Sequence, residues 1–200
     1  PKGMVLNVFY DRSELVERAV GTVEEALLEA TILVVILLLL FLGDIRASLI
    51  VAAALPMATL VTFILMKQFG MSANLMSLGG LAIAIGMLVD GAVVVIENVV
   101  ERLSDPGHAH AGKLNRVLVA TSEVVVPVAS GLFIIALVFL PLLTLEGLEG
   151  KLFGPVAMTI VLALASSLVL ALTLVPVLAS YGLKADGEHK EPWLMRQLSP

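Results

Sequence analysis

Asp90 and Glu97 are the only charged residues in an apolar stretch of fifteen, GMLVDGAVVVIENVV, at residues 86–100. They lie seven residues apart, which in an α-helix is two turns, or about 10 Å along the axis. A charged side chain at the centre of a bilayer costs about 2.5–3.5 kcal/mol on insertion scales, and burial favours the neutral form of a carboxyl group. A carboxyl group at that depth can take up a proton from one side and release it to the other. Proton transfer is therefore the first hypothesis for this stretch.

The two carboxylates share a helix face with glycines. Steps of three or four residues connect the members of this face: Gly79, Ile83, Gly86, Asp90, Val94 and Glu97. Glycines allow a neighbouring helix to approach closely, so we expect the carboxylates to point into a helix bundle and not at lipid. The alternative is a structural ion pair or a hydrogen bond between helices. For Glu123, in the next apolar block, the favoured explanation is snorkelling or pairing with Arg116 or Arg102.

The composition places these carboxylates in a membrane protein. Of the 200 residues, 59% are hydrophobic and 14% are charged, with a mean hydropathy of +1.04. Soluble domains average about 45–50% apolar and about 25% charged residues, so this excess is too large for one buried core. Five apolar blocks, too long and too uniform for barrel strands, predict an all-α bundle of transmembrane helices at about 26–43, 46–66, 74–102, 115–141 and 151–181.

Two short segments flank the predicted transmembrane region, 26–181. The stretch MVLNVFY at 4–10 predicts a strand, followed by a polar helix that feeds the first span. A strand alone is not stable, so residues 1–25 are expected to be the end of an exported domain and its linker. Residues 182–200 are expected to form a cytoplasmic interfacial tail anchored by Trp193, or alternatively a loose solvated tail.

The distribution of Lys and Arg predicts the orientation in the membrane. The short loops at one end of the predicted bundle hold only Lys67 and Lys151. The other end holds the larger set: Arg46, Arg102, Lys113, Arg116, Lys184, Lys190 and Arg196. Cytoplasmic loops carry the excess of Lys and Arg, so this second end is predicted to be cytoplasmic and the N-terminal segment to be outside.

Several classes of function are excluded by motifs that the sequence lacks. There is no cysteine, which excludes disulfides, thiolate metal sites and cysteine nucleophiles. There is no G-x-x-x-x-G-K-[ST], so ATP is not the fuel, and there is no H-E-x-x-H or plausible Ser–His–Asp set in the spans. No basic stripe indicates a nucleic acid partner. These observations favour a transporter over an enzyme.

Three long stretches resemble one transporter superfamily. SLGGLAIAIGMLVDGAVVVIENVVERL resembles the fourth transmembrane helix of the resistance-nodulation-division (RND) efflux transporters. LTLEGLEGKLFGPVAMT resembles the link into their sixth helix in the heavy-metal efflux branch. YDRSELVERAVGTVEEALLEATILVVILLLLFLGDIRASLIVAAALP is similar to the passage from the periplasmic porter domain into their second and third helices. The chain is therefore identified as a member of the heavy-metal branch of this superfamily.

The resemblance implies a larger machine. Such transporters have twelve helices in two pseudo-repeated halves, and this chain resembles the second to the sixth. They are homotrimeric inner-membrane permeases of bacteria, and a periplasmic adaptor and an outer-membrane channel complete the tripartite pump. The implied activity is export of heavy-metal cations by proton antiport. It needs no bound cofactor beyond the proton motive force and the transported metal ion.

The resemblance also implies roles for single residues. Asp90 takes the principal proton-relay position and Glu97 the acidic position two turns later, and both would work with charged groups of the tenth helix. Gly91 stands where multidrug members carry a second Asp, which favours the metal branch. Ala84 stands where some metal members carry a further acid, which weakens the assignment of a divalent cation.

The identity of the metal stays open. Met76 matches a methionine position of copper and silver exporters, whereas Val95 and Leu164 occupy two others. A methionine is also a common filler of gaps in a core, so Met76 is a weak metal ligand candidate. His108 and His110, in GHAHAG, are either a metal pair or part of a solvated loop.

Two other functions remain as alternatives. One is an RND exporter of organic compounds, which would differ from a metal exporter in the periplasmic domains. The other is a membrane fragment that is inactive because its partner half is missing.

Prolines and glycines within the spans predict places where helices bend or slide. Pro56, Pro127 and Pro176 each remove a backbone hydrogen bond. A second set lies around the carboxylates: Gly79, Gly80 and Gly86. We expect a proton on Asp90 to be read out as a shift of the third predicted helix against its neighbours; the alternative is that these glycines only permit close packing.

Overall fold

The computed structural model describes residues 12–41, 44–105, 107 and 112–183. They form five helices: α1 (Arg12–Phe41), α2 (Ile45–Gln68), α3 (Leu75–Ser104), α4 (Lys113–Leu143) and α5 (Gly147–Gly182). No strand occurs among the described residues, so the prediction of an all-α bundle is confirmed. The strand predicted at 4–10 and residues 184–200 of the predicted tail lie outside the described residues.

Four of the helices, α2 to α5, are long and apolar enough to cross a membrane. The first helix differs from the span predicted at 26–43, because α1 joins the polar segment and the apolar segment in one helix of 30 residues. Its last eighteen residues include Glu24, Glu25 and Glu29, so its acidic positions extend into the region predicted as a span.

Polar caps hold the starts of α2 and α3 in place. Asn74 and Ser77 form a reciprocal capping box at the start of α3, with both backbone-to-side-chain bonds at 2.9 Å. Asp44 accepts a bond of 2.8 Å from the backbone N–H of Arg46 at the start of α2. The turn before α3 contains Gly70, whose φ of 68° is accessible to glycine and strained for other residues.

Two arginines tie helix ends together where α2 and α4 begin and α3 and α5 end, which we call the inner end. Arg46 Nη1 donates to the carbonyl oxygen of Gly182, at the end of α5, over 3.4 Å. Arg116, which is buried, donates over 2.5–3.3 Å to three carbonyl oxygens at the end of α3: those of Arg102, Leu103 and Asp105. A cation at this position satisfies carbonyl groups that have no partner within the helix and complements the helix dipole.

The central helix is α3, which contacts all four of the others. Its closest packing is against α5, where a Cβ added to Gly80 would lie 2.8 Å from the backbone oxygen of Val156. Ser167 of α5 donates to the carbonyl oxygen of Leu88 over 2.7 Å. Apolar side chains fill this boundary and are fully or almost fully buried: Leu81, Ala84, Ile85, Ile160, Ala163 and Leu164. The two helices therefore meet almost backbone to backbone, so α5 determines where α3 lies.

Candidate functional site

The six residues predicted to share a face of α3 do share one, and we call it the carboxylate face: Gly79, Ile83, Gly86, Asp90, Val94 and Glu97. All six are exposed among the described residues, and even the large side chain of Ile83 is 57% exposed. The face lies opposite the side of α3 that packs against α5. The two candidate proton carriers therefore lie on the open side of the central helix.

The prediction that this face points into the bundle is wrong for the part of the chain that the structure describes. A Cβ added to Gly79 or Gly86 would meet nothing within 4 Å. The close approaches occur instead at Gly80, against α5, and at Gly91, where a Cβ would lie 3.3 Å from Val128 of α4. The cause is that α3 carries small residues on both sides, and the side facing α5 provides the closer fit.

Asp90 lies between two apolar grooves. One, of about 400 Å³, separates α3 from α1, and its α1 wall consists of Ala30, Leu33, Val34 and Leu37. The other, of about 260 Å³, separates α3 from α4, and its α4 wall consists of Pro127, Val128, Gly131, Leu132 and Ile135. Among the described residues, Asp90 is the only titratable one that lines either groove. An element that fills these grooves therefore meets a single carboxyl group in apolar surroundings.

Glu97 lies two turns from Asp90 on the same face, toward the inner end. Among the described residues, neither carboxylate takes part in an ion pair or a side-chain hydrogen bond. Both are thus available to groups from outside the described chain, and the alternative of an ion pair within these five helices is not realised for either.

The potential metal ligands are less informative. Met76 is exposed in the first turn of α3, fourteen residues and about 21 Å along the axis from Asp90. The described residues contain no group of three or more His, Asp or Glu side chains that could hold a metal ion. His108 and His110 lie outside the described residues. The proposed role of Met76 stays a prediction.

A polar cluster joins α3 to α4 at the inner end. Glu123 pairs with Arg102, with 2.6 Å between Oε1 and Nη1, which confirms one of the two expected partners. Asn98 Nδ2 donates to Glu123 Oε2 over 3.2 Å and to the carbonyl oxygen of Ala120 over 2.7 Å. The other expected partner, Arg116, binds the carbonyl groups at the end of α3 instead.

Sequence reasoning missed Asn98, the capping role of Arg116, and the hydrogen bond of Ser167. Each had a signal. Asn98 is an amide within an apolar run, where a buried polar side chain needs a partner. Arg116 lies in the first turn of the helix that follows the end of α3, within reach of carbonyl groups that lack partners. Ser166 and Ser167 are adjacent hydroxyl groups in an otherwise apolar helix.

Comparison with protein families gives one match over almost the whole chain. The model of the AcrB/AcrD/AcrF family matches residues 1–199. Protein HelA of Legionella pneumophila is 43% identical over 205 residues, covering 100% of this chain and 19% of the relative. The cobalt-zinc-cadmium resistance protein CzcA of Cupriavidus metallidurans is also 43% identical, covering 98% of this chain and 19% of the relative.

Two further similarities point the same way. The cation efflux system protein CusA of Escherichia coli (strain K12) is 39% identical over 191 residues, covering 92% of this chain and 18% of the relative. The crystal structure of a heavy metal efflux pump is 40% identical with a TM-score of 0.69, covering 86% of this chain and 16% of that chain. The chain thus spans about a fifth of the length of the relatives that it matches.

Proposed function

The chain belongs to the AcrB/AcrD/AcrF family, within the heavy-metal branch of the RND efflux transporters, and from this premise we propose that it carries the proton relay of a heavy-metal cation exporter. The whole protein would work by proton antiport as the inner-membrane permease of a homotrimeric, tripartite pump with a periplasmic adaptor and an outer-membrane channel. The names of the relatives, cobalt-zinc-cadmium resistance and cation efflux, support a metal ion as the substrate.

The observation that carries this proposal is the position of Asp90. Within the part of the chain that the structure describes, it is the only titratable residue lining two apolar grooves on the open face of the central helix. Gly79 and Gly86 leave room on the same face for another helix. In a protein as long as these relatives, helices from the other four-fifths would cover this face. They would supply the charged groups with which Asp90 and Glu97 exchange protons.

The chemistry is the reversible protonation of a carboxyl group in apolar surroundings. Neutral Asp90 tolerates an apolar neighbour, whereas ionised Asp90 needs a cation or water, so each protonation change favours a different arrangement of α3 and the helix that covers it. One proton crossing a potential of about 100 mV supplies about 2.3 kcal/mol. This free energy can bias an equilibrium between two packed arrangements by about fifty-fold.

Metal susceptibility of cells tests the proposal. Cells that carry the full-length gene with Asp90→Asn should lose resistance to every metal that the wild-type gene protects against, at normal protein level and trimer formation. Asparagine keeps the shape of Asp90 and removes its titration. Glu101→Gln is the matched control, since Glu101 is an exposed carboxylate on the same helix that lines neither groove, and it should keep resistance. Unchanged resistance in a well-expressed Asp90→Asn strain would contradict the relay role.

A drug panel in the same strains addresses the alternative substrate. Loss of drug resistance in Asp90→Asn cells, with no change in metal resistance, would favour export of organic compounds.

A further inference from the structure

The boundary between α3 and α4 carries a carboxylate at each end, and we call it the α3–α4 seam. At one end, Asp90 lines the groove of about 260 Å³ together with Val94 and Pro127. One helical turn nearer the inner end, Val94 is followed by Asn98 on α3 and Pro127 is preceded by Glu123 on α4. Asp90 and Asn98 are eight residues apart, or about 12 Å along the axis. The seam therefore connects the candidate relay residue with a polar cluster through a short apolar neck.

Glu123 is bound to α3 and still reaches the surface. Its Oε1 lies 2.6 Å from Arg102 Nη1, and its Oε2 accepts from Asn98 over 3.2 Å. Its side chain is 43% exposed, compared with 26% for Arg102. The carboxylate thus contacts α3 through Asn98 and Arg102 and is still partly exposed, so groups from outside the five helices can reach it.

The depth of Glu123 argues against a purely structural ion pair. α4 has 31 residues, or about 46 Å, and the hydrocarbon layer is about 30 Å thick. Glu123 is ten residues, or about 15 Å, from Lys113 at the start of α4. With α4 centred in the bilayer, Glu123 therefore lies about 7 Å inside the hydrocarbon layer. A pair that only joined the helices could form nearer their ends, without the cost of desolvation.

Pro127 opens the neck of the seam. It has no backbone N–H, so the carbonyl of Glu123, four residues earlier, lacks its usual donor in the helix. Gly131 widens the groove, because a Cβ there would meet nothing within 4 Å. The groove volume of about 260 Å³ compares with about 30 Å³ for a water molecule in the liquid. Several waters fit in this groove beside Asp90, and its inner rim, Val94 and Pro127, is one helical turn from Asn98 and Glu123.

Charged residues lie on the inner halves of both helices that form the seam. On α3 these are Glu97, Glu101 and Arg102, and on α4 they are Lys113, Arg116 and Glu123 itself. The described part of α5 carries its charged residues at the opposite end of the bundle, where it begins. Arg116 is engaged with the carbonyl groups at the end of α3, which leaves Arg102 as the cation in contact with Glu123.

We propose that Glu123 is a further proton-carrying residue, which accepts the proton from Asp90 through water in the α3–α4 seam and releases it at the inner end. The proposal rests on the proton relay proposed above for Asp90. The proton leaves the carboxyl group of Asp90, which becomes ionised, and neutralises the carboxylate of Glu123, which then loses it to water. Asn98 positions Glu123 by donating to Oε2.

Proton flux in proteoliposomes tests this inference on the protein expressed from its full-length gene. The vesicles contain a trapped pH-sensitive dye, and flux is started with the metal that the wild-type protein transports best among Co²⁺, Ni²⁺, Zn²⁺, Cd²⁺, Cu⁺ and Ag⁺. Glu123→Gln keeps an acceptor for Asn98 and cannot carry the proton, so metal-dependent flux should fall at least about tenfold. Glu123→Asp should restore part of it, and the Glu101→Gln control should match the wild type.

Arg102→Gln separates proton transfer from a structural role. It breaks the ion pair and keeps the Glu123 carboxylate. We expect it to keep most of the flux at its optimum and to move the pH at which flux is highest, because it removes the charge in contact with the proton-carrying group. If Glu123→Gln does not reach the membrane, the pH profile of Arg102→Gln decides whether the ion pair takes part in proton transfer.

Three outcomes would overturn the inference. Wild-type flux in Glu123→Gln would exclude Glu123 as a proton carrier. Equal losses in Glu123→Gln and Arg102→Gln, with no shift in the pH profile, would assign the pair to structure alone. Absence of metal-dependent flux in the wild type, or normal flux in Asp90→Asn, would instead refute the proposed function and this inference with it.

Discussion

On the side of α3 that meets α5, a Cβ at Gly80 would lie 2.8 Å from a backbone oxygen, whereas at Gly86, on the carboxylate face, it would meet nothing within 4 Å. The first side is tightly packed and, among the described residues, carries the hydrogen bond from Ser167 to the carbonyl of Leu88. The second side holds both free carboxylates and two open grooves. The same residue type thus permits contact on one side of the helix and leaves space on the other.

One helix thus combines a side that is held rigidly with a side that is open to other helices. Closely packed helices resist relative movement, because interiors are as dense as organic crystals. We therefore expect α3 and α5 to move as one body, and the rearrangement that follows protonation of Asp90 to occur at the carboxylate face. The three glycines that the sequence singled out lie on different sides of α3. Gly80 belongs to the packed side, and Gly79 and Gly86 belong to the open side.

The largest expected effect comes from a leucine on each side of α3. Gly80→Leu should remove most of the assembled protein, because its Cβ collides with the backbone of α5 and overpacking costs about 1–3 kcal/mol or more. Gly86→Leu should assemble normally and fail to export metal, since it fills the space that the covering helix needs. Trimer yield from membranes and metal resistance of the same cells measure the two effects. Equal assembly of both variants, or normal export by Gly86→Leu, would contradict the assignment of a packed side and an open side to α3.

Next in size is the difference between the two carboxylates of the open face. Asp90→Asn should abolish export, whereas Glu97→Gln should reduce it only in part, because Glu97 lies two turns nearer the inner end and thus nearer to water. The minimal metal concentration that stops growth measures both in matched strains. If Glu97→Gln proves as damaging as Asp90→Asn at equal protein level, the two residues act as one coupled unit.

The smallest expected effect concerns the hydrogen bond between α3 and α5. Ser167→Ala should lower the free energy of unfolding by about 0.5–1.5 kcal/mol, since it removes the donor to the Leu88 carbonyl. Ser166→Ala is the matched control, because that hydroxyl donates within its own helix, to the carbonyl of Leu162. In thermal unfolding of the purified full-length protein, Ser167→Ala should have a lower midpoint temperature than Ser166→Ala. The reverse order would show that this bond does not hold α3 to α5.

Much of the fold could be predicted from the sequence, because long apolar blocks report bilayer-spanning helices directly. The five predicted blocks correspond to α1–α5, and the periodicity of α3 correctly placed Asp90 and Glu97 on one face. The polar helix before residue 26 was predicted as well, and in the structure it continues into the first span as one helix, α1. The Arg102–Glu123 pair could be predicted, because opposite charges at one end of two adjacent helices have few other partners.

The direction in which the carboxylate face points could not be predicted in the same way. Small residues occur on both sides of α3, and periodicity alone does not say which side has the better partner. The answer depends on the facing residues of α5, among them Val156 and Ala171, which approach Gly80 and Gly91. Asn98 and Ser167 were missed for a related reason, because each contact spans two helices that sequence spacing does not bring together.

Infrared difference spectroscopy of the purified full-length protein, recorded between low and high pH, tests most directly whether Asp90 carries the proton. Asp90 lies on the open face of α3. The wild type should show a band from a protonated carboxyl group that disappears as the pH rises. Glu97→Gln and Glu101→Gln should retain a band of the same frequency, and Asp90→Asn should lose it. If that band persists in Asp90→Asn, with the frequency and pH dependence of the wild type, Asp90 is not the group that carries the proton.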